Sequence, residues 1–186
     1  MAWPSREEAL QLLQEYTTSS NLIAHALAVE AAMRGYARHF GENPDQWGVV
    51  GLLHDFDYEK YPDVKDHPYR GAEILGEYGY PEAMVTAILG HADYTGVARE
   101  SLMSRALYAV DELTGLIVAV ALVRPSRSLK DVKVKSVMKK WKDHAFARGV
   151  NRRDIERGAQ ELEVDLRTHV ERVLSSLQEV APDLGL

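Results

Sequence analysis

The chain has 186 residues, of which 46% are hydrophobic and 27% are charged, and its formal net charge at pH 7 is -6. These values are typical of a globular protein, and the length predicts a single domain over residues 1–186. The absence of cysteine excludes disulfides, thiolate zinc sites and cysteine nucleophiles. The start of the sequence has no cationic segment followed by an apolar core, so we predict a cytoplasmic protein without a secretory signal.

The first two predicted helices are separated by a polar stretch. Ser5 followed by Glu8 is a capping-box signature, and the first helix is predicted to end near residue 16. The second helix is predicted over about residues 22–40. On it, His25 lies on the apolar stripe, and the ordinary alternative to a functional role is a core histidine that is hydrogen-bonded to a neighbour.

The third predicted helix begins at Pro44 and ends in the motif LLHD, with His54 and Asp55 in its last turn or just beyond it. An imidazole next to a carboxylate at the end of a packed helix is a rigid platform for a divalent cation. A charged and aromatic loop follows, and Asp66 is predicted to cap the next helix. His67 then lies at a helix start, where a surface histidine is the ordinary alternative.

Two further predicted helices supply a histidine and a carboxylate. One ends at His91, and a long apolar helix over about residues 100–123 contains Asp111. Acidic residues near the middle of this helix argue against a membrane span, so we predict a buried helix and no membrane partner. An unpaired Asp111 there would cost several kcal/mol, so we expect a metal or an arginine such as Arg105 beside it. Glu112 is interpreted as structural.

The last third of the chain differs in charge. Residues 124–153 contain eleven Lys or Arg and two Asp, which makes this segment a candidate anion site, with a solvated helix face as the alternative. Ser128 is predicted to cap a basic helix, and Asn151 a single final amphipathic helix. No strand pattern occurs. We therefore predict an all-α, single-domain helical bundle with a metal-site core over about 21–123 and basic and C-terminal helices over about 124–186.

The order H…HD…H…H…D, with HPYRGAEIL around the third histidine, resembles the HD-domain superfamily of metal-dependent phosphohydrolases. The stretches LTGLIVAVALVRPSR and KSVMKKWKDHAFARGVNR resemble a bacterial subgroup described as predicted HD hydrolases. The resemblance covers roughly residues 21–123 and implies one or two divalent transition-metal ions (Mn, Fe, Co, Ni or Zn). It also implies the ligands, which are His25, His54, Asp55, His67, His91 and Asp111.

Within that set, the resemblance implies a first metal held by His25, His54, Asp55 and Asp111. Asp55 would bridge to a second metal held by His67 and His91, and His54 and Asp55 are the implied catalytic residues. The implied enzyme is a phosphomonoesterase or phosphodiesterase that uses metal-activated water on a nucleotide or other small phosphoester. Its partner would be a small-molecule phosphorylated substrate.

Four basic residues are candidates for binding the phosphate, and a surface position is the ordinary alternative for each of them. They are Lys60, Arg70, Lys133 and Lys135. The stretch GHADYTG has one histidine and no Gly-Tyr-Pro signature, and Tyr58 stands where cyclic-dinucleotide enzymes of the superfamily have a lysine. We therefore do not expect cyclic di-GMP as the substrate.

Two other functions fit the same residues. The first is a mixed-valence di-iron oxygenase with the same ligand order, and the second is a non-catalytic binding module stabilised by a metal. Nucleic-acid binding by residues 124–153 is disfavoured, because the net charge is negative and only Trp141 and Phe146 are aromatic there. The sequence leaves the metal, the substrate and the oligomeric state open.

Overall fold

A computed structural model describes residues 2–186, and over that range the chain forms nine α-helices and two short 3₁₀ helices, with no strand. The predicted all-α fold is confirmed. The α-helices are α1 (Arg6–Tyr16), α2 (Ser20–Phe40), α3 (Pro44–Leu53), α4 (Tyr69–Glu77), α5 (Glu82–Gly90), α6 (Leu102–Leu122), α7 (Val134–Trp141), α8 (Arg152–Glu161) and α9 (Leu166–Glu179). The 3₁₀ helices are Asp93–Thr95 and Leu129–Asp131. No helix in this described range combines the length and the hydrophobicity that crossing a membrane requires.

The predicted capping box of α1 is confirmed, and α3 also begins with a side-chain cap. The Ser5 hydroxyl accepts a hydrogen bond from the Glu8 amide at 3.2 Å, and the Glu8 carboxylate accepts one from the Ser5 amide at 2.7 Å. Asn43 caps α3 by accepting hydrogen bonds from the amides of Asp45 and Gln46. These bonds satisfy amides that have no partner within the helix, so they fix where each helix begins.

Helix α6 is at the centre of the bundle and packs against α2, α5, α8 and α9. Its fully buried side chains include Leu107, Leu113 and Ile117. Helices α2 and α3 also pack closely. A Cβ added at Gly51 would lie 2.9 Å from the Val29 carbonyl oxygen, so only glycine allows this approach. The predicted metal-site core, about residues 21–123, therefore includes closely packed helices.

Three local predictions differ from the structure. The predicted basic helix after Ser128 is divided into the 3₁₀ segment Leu129–Asp131 and α7. The single final helix is divided into α8 and α9, because Glu163 adopts a φ of 56° and the Asp165 side chain then caps a new helix. Asp66 does not cap α4, whose N-cap is Pro68. The polar residues at these three positions were therefore weaker signals of helix ends than the capping box of α1.

Candidate metal centre

The six implied ligands come from five different parts of the bundle and meet at one place. His25 lies on α2 and Asp111 on α6, while His54 and His91 are the C-cap residues of α3 and α5. Asp55 and His67 lie in the turns between α3 and α4. Helix ends thus position two of the six side chains, His54 and His91.

The first cluster contains His25, His54, Asp55 and Asp111. The His25 Nε2 atom lies 2.9 Å from Asp111 Oδ1. The His54 Nε2 atom lies 3.4 Å from both Asp111 Oδ1 and Asp55 Oδ2. Ligand atoms of His25, His54 and Asp55 all lie within 4.8 Å of one another, a spacing that one cation could bridge.

The second cluster is built on the other oxygen of the same aspartate. Asp55 Oδ1 lies 3.2 Å from the Nε2 atoms of both His67 and His91. Ligand atoms of these three residues also lie within 4.8 Å of one another. Asp55 thus faces one cluster with each oxygen, which is the arrangement that a bridging ligand requires.

Hydrogen bonds fix the tautomers of three imidazoles. The Nδ1 atom of His54 donates to the Gly51 carbonyl at 2.8 Å, and that of His91 donates to the Ile88 carbonyl. The Nδ1 atom of His67 lies 2.8 Å from Asp57 Oδ1. A nitrogen that donates to a carbonyl or a carboxylate must carry the hydrogen, so in the neutral ring each Nε2 has the lone pair that a metal would take.

Two polar atoms at the centre are buried without a hydrogen-bond partner among the described residues. They are His54 Nε2 and Asp55 Oδ1. Leaving such an atom unsatisfied costs about 1–3 kcal/mol, and a cation that accepts both lone pairs removes the cost. The nitrogen and oxygen donors suit a transition metal better than an all-oxygen ion such as Mg or Ca. The residues therefore fit the group that the sequence predicts.

The charges of the site favour binding of a cation. Burial alone would raise the pKa of the Asp55 and Asp111 carboxyl groups, but the neighbouring histidines, His54 first, hold both pKa values well below their usual range. Burial alone would lower the pKa of His67, but the neighbouring Asp55 and Asp57 carboxylates raise it to about 9. Asp55 and Asp111 likewise raise the pKa of His54 above its usual value, so metal binding at His54 and His67 must release protons.

Solvent reaches part of this centre. The side chain of His54 is completely buried, while the side chains of His25, Asp55 and Asp111 are 25%, 24% and 19% exposed. Both carboxylates therefore present some surface to solvent.

Of the two partners expected for Asp111, a metal or an arginine, the structure shows no arginine beside it among the described residues. Arg105 donates to the Arg99 carbonyl. Glu112, the neighbour of Asp111, accepts a hydrogen bond from the Asn151 amide at 3.2 Å. Burial, followed by the proximity of Asp111, raises the pKa of Glu112 to about 7. Among residues 2–186, the side chains that pair with the Asp111 carboxylate are those of His25 and His54.

The four candidate phosphate ligands lie outside these clusters. Lys60 Nζ lies 3.9 Å from the centroid of the Tyr16 ring. Arg70 Nη1 lies 2.9 Å from Glu73 Oε2, and Arg70 Nε lies 3.8 Å from Asp66 Oδ1. Lys133 is exposed just before α7, and Lys135 is exposed on α7. Helix α7 packs against α6 and α9. Their role in binding phosphate stays a prediction.

Sequence reasoning missed two residues. Asp57 is buried and accepts hydrogen bonds from His67 and from the Gly71 amide, and its place in a charged loop had hidden it. His169 has charged sequence neighbours and is not among the predicted site residues, yet it is fully buried on α9. Its spacing to the apolar residues Val173 and Leu177 is the helical signal that could have found it.

Comparison with known proteins agrees with this geometry. The family model of the HD domain matches residues 22–121, more than half of the chain. All six implied ligands lie inside the matched range. No solved structure matches the chain significantly.

Proposed function

Since this chain belongs to the HD-domain family, whose members are typically metal-dependent phosphohydrolases, we propose that it hydrolyses a nucleotide or other small phosphoester. The observation that carries this proposal is the position of Asp55, with one oxygen toward each histidine cluster. Two cations about 3.5–4 Å apart that share a bridging ligand can clamp a phosphoryl group for in-line attack.

The side chains divide into two groups of metal ligands. His25, His54 and Asp55 would hold one ion, together with Asp111, whose Oδ1 lies 2.9 Å from His25 Nε2. Asp55, His67 and His91 would hold a second. When bound, such ions lower the pKa of a water molecule toward about 7 and polarise the phosphoryl oxygens. The chemistry therefore needs no side-chain nucleophile.

The remaining work of the protein is to orient these ligands and to handle protons. Gly51, Asp57 and Ile88 hold three imidazole rings through their Nδ1 atoms, so that each ring turns Nε2 toward the carboxylates. The proton between His25 Nε2 and Asp111 Oδ1 must leave for both atoms to act as ligands. The exposed edge of Asp55 and Asp111 is where a phosphoester would meet the site.

The test begins with the metal content of the purified protein. It continues with a screen of phosphomonoesters and phosphodiesters in the presence of Mn, Co, Ni, Mg or Fe. We expect metal-dependent phosphate release from at least one ester. His54→Ala should remove metal and activity while the helical circular-dichroism signal is kept, and His67→Ala or His91→Ala should remove about one metal equivalent if two ions bind.

His144→Ala is the matched control, because this histidine is exposed and lies outside both clusters. It should keep the metal content and the activity of the unmodified protein. Protein that is loaded with metal but releases no phosphate from any ester would contradict the proposal. Iron content with oxygen consumption would instead indicate the oxygenase, and metal-dependent stability without turnover would indicate the binding module.

A further inference from the structure

An apolar cavity of about 360 Å³ opens beside His25, between α2 and α6. Its walls are mainly aliphatic, and they include Ala24, Val118, Ala119, Leu122, Leu184 and Leu186. This volume is within the range of about 300–1,000 Å³ that ligand pockets occupy. The cavity is therefore large enough for part of a small molecule.

The cavity is continuous with the metal centre through His25, which belongs to both. Along α6, Val118, Ala119 and Leu122 follow Asp111 by seven, eight and eleven residues, so they lie on the face of the helix that carries the carboxylate. At a rise of 1.5 Å per residue, this stripe extends about 16 Å from Asp111. A molecule with its phosphate at the metal centre can place its other end along this stripe.

The polar side chains of the cavity come from one helix. Among the residues that the structure describes, His25 and Asn21, both on α2, supply the polar side chains that line it. A nucleobase would bring ring nitrogens and carbonyl oxygens into these aliphatic walls, and each polar group buried without a partner costs free energy. A hydrocarbon chain has no such cost and gains from its burial.

We propose that the substrate is a phosphomonoester of an aliphatic alcohol, with the phosphate at the metal centre and the alkyl chain in this cavity. The inference rests on the proposed phosphohydrolase function and narrows its substrate class away from nucleotides. In the reaction, the oxygen of water bonds to phosphorus and the ester oxygen–phosphorus bond breaks. The alcohol leaves with one proton of that water, and inorganic phosphate is the second product.

The first test measures binding, so that it does not depend on turnover. Alkylphosphonates with two to eight carbons are titrated into the Mn-loaded protein by calorimetry. Each methylene that enters the cavity should tighten binding about two- to fourfold until the cavity is full. Inorganic phosphate should bind no more tightly than the shortest phosphonate.

Cavity-filling variants identify where the chain binds. Ala119→Phe introduces a ring into the cavity and should remove most of the dependence on chain length, while metal content stays the same. Leu122→Trp narrows the cavity at a position that is already 42% exposed, so it serves if Ala119→Phe does not fold. Ala83→Phe is the matched control, because Ala83 is exposed on α5 outside the cavity. It should keep the full dependence on chain length.

The outcomes separate this inference from the proposed function. Hydrolysis of phosphoesters with no preference for longer alkyl chains, or with a preference for nucleotides, would overturn the inference and leave the hydrolase standing. Binding that tightens with chain length, without hydrolysis of any ester, would support the cavity and contradict the hydrolase. Chain-length dependence that survives in both cavity variants would also overturn the inference.

Discussion

Two buried histidines of this bundle, His169 and His54, differ in whether both ring nitrogens have a hydrogen-bond partner among the described residues. In His169, Nε2 donates to the Ala109 carbonyl at 2.8 Å, and Nδ1 accepts from the Tyr36 hydroxyl. In His54 the Nδ1 donates to Gly51, while Nε2 is buried without a hydrogen-bond partner beside two carboxylates. The first ring is fully satisfied by the protein, and the second is not.

This difference separates a histidine of the core from a candidate ligand better than burial does, since both rings are completely buried. Burial lowers the pKa of His169 to about 4, so this ring is neutral at neutral pH. Burial acts on His54 too, but Asp55 and Asp111 outweigh it and raise its pKa well above the usual value. The two rings differ in what faces the nitrogen that does not donate to a backbone carbonyl. In His169 this is the neutral Tyr36 hydroxyl, and in His54 it is the two carboxylates of Asp55 and Asp111.

The most complete loss of function is expected for Asp55→Ala, which removes the carboxylate shared by both clusters. The variant should lose metal binding at both sites and all metal-dependent activity. In the unmodified protein, a metal at 100 times its Kd should raise the free energy of unfolding by about 2.7 kcal/mol, and this gain should be absent in the variant. Denaturation with and without metal measures it.

Asp63→Ala is the control for this prediction, because Asp63 is exposed in the same loop. It should keep the stabilisation by metal. A full metal-dependent gain in Asp55→Ala would mean that the clusters are not metal sites.

The satisfied histidine makes the second prediction, which concerns pH. The pKa of His169 is about 4 in the folded protein, against an ordinary value of 6.5 for the unfolded chain, so its contribution to stability is fully present above pH 6.5. It should be lost as pH falls from 6.5 toward 4, for a total of about 3 kcal/mol. Urea denaturation at several pH values measures the free energy of unfolding, and His169→Gln should show a correspondingly flatter profile over this interval. Identical profiles would contradict the prediction.

A smaller effect is expected for Asp57→Asn. The Asp57 carboxylate accepts from His67 Nδ1 with one oxygen and from the Gly71 amide with the other, whereas asparagine has one acceptor oxygen. Loss of such an orienting partner typically weakens metal affinity about 10- to 100-fold. Calorimetric titration of the second equivalent of metal measures this effect, and Asp63→Asn provides the unaffected comparison. Unchanged affinity would show that the ring of His67 is held by its other contacts.

The smallest effect is expected for Tyr36→Phe, which removes the hydroxyl that donates to His169. The Nδ1 atom would remain buried without a donor, at a cost on the order of 1 kcal/mol in the free energy of unfolding. Metal affinity should stay the same, since Tyr36 lies outside both clusters. A loss of metal in this variant would remove the distinction between the two kinds of histidine.

The sequence predicted the helices well wherever capping residues and apolar periodicity agreed. Ser5 with Glu8 marks the start of the first helix and Pro44 that of the third, and the structure confirms both. The break between α8 and α9 was missed because apolar spacing continues on both sides of it. The positive φ at Glu163 that produces the break has no strong signal in a glutamate.

The prediction of the centre depended on a pattern of residue types, and its geometry required tertiary structure. His54 and Asp55 were recognisable because they are adjacent where an apolar helix ends. The Gly51 carbonyl acts through its hydrogen bond with His54, and Asp57 acts through its hydrogen bond with His67. Both bonds exist only in the folded chain. The apolar cavity could not be predicted from the sequence either, because residues more than sixty positions apart form its walls.

Gly51 connects the packing of the bundle to its chemistry. The lack of a side chain lets α3 approach the backbone of Val29 and Glu30, and the carbonyl of the same residue holds the ring of His54. Any side chain at this position would push α3 away from α2, the helix that carries His25. One substitution at this glycine would therefore change the distance between two candidate ligands without altering either, so selection for a metal site would also maintain the spacing of two helices.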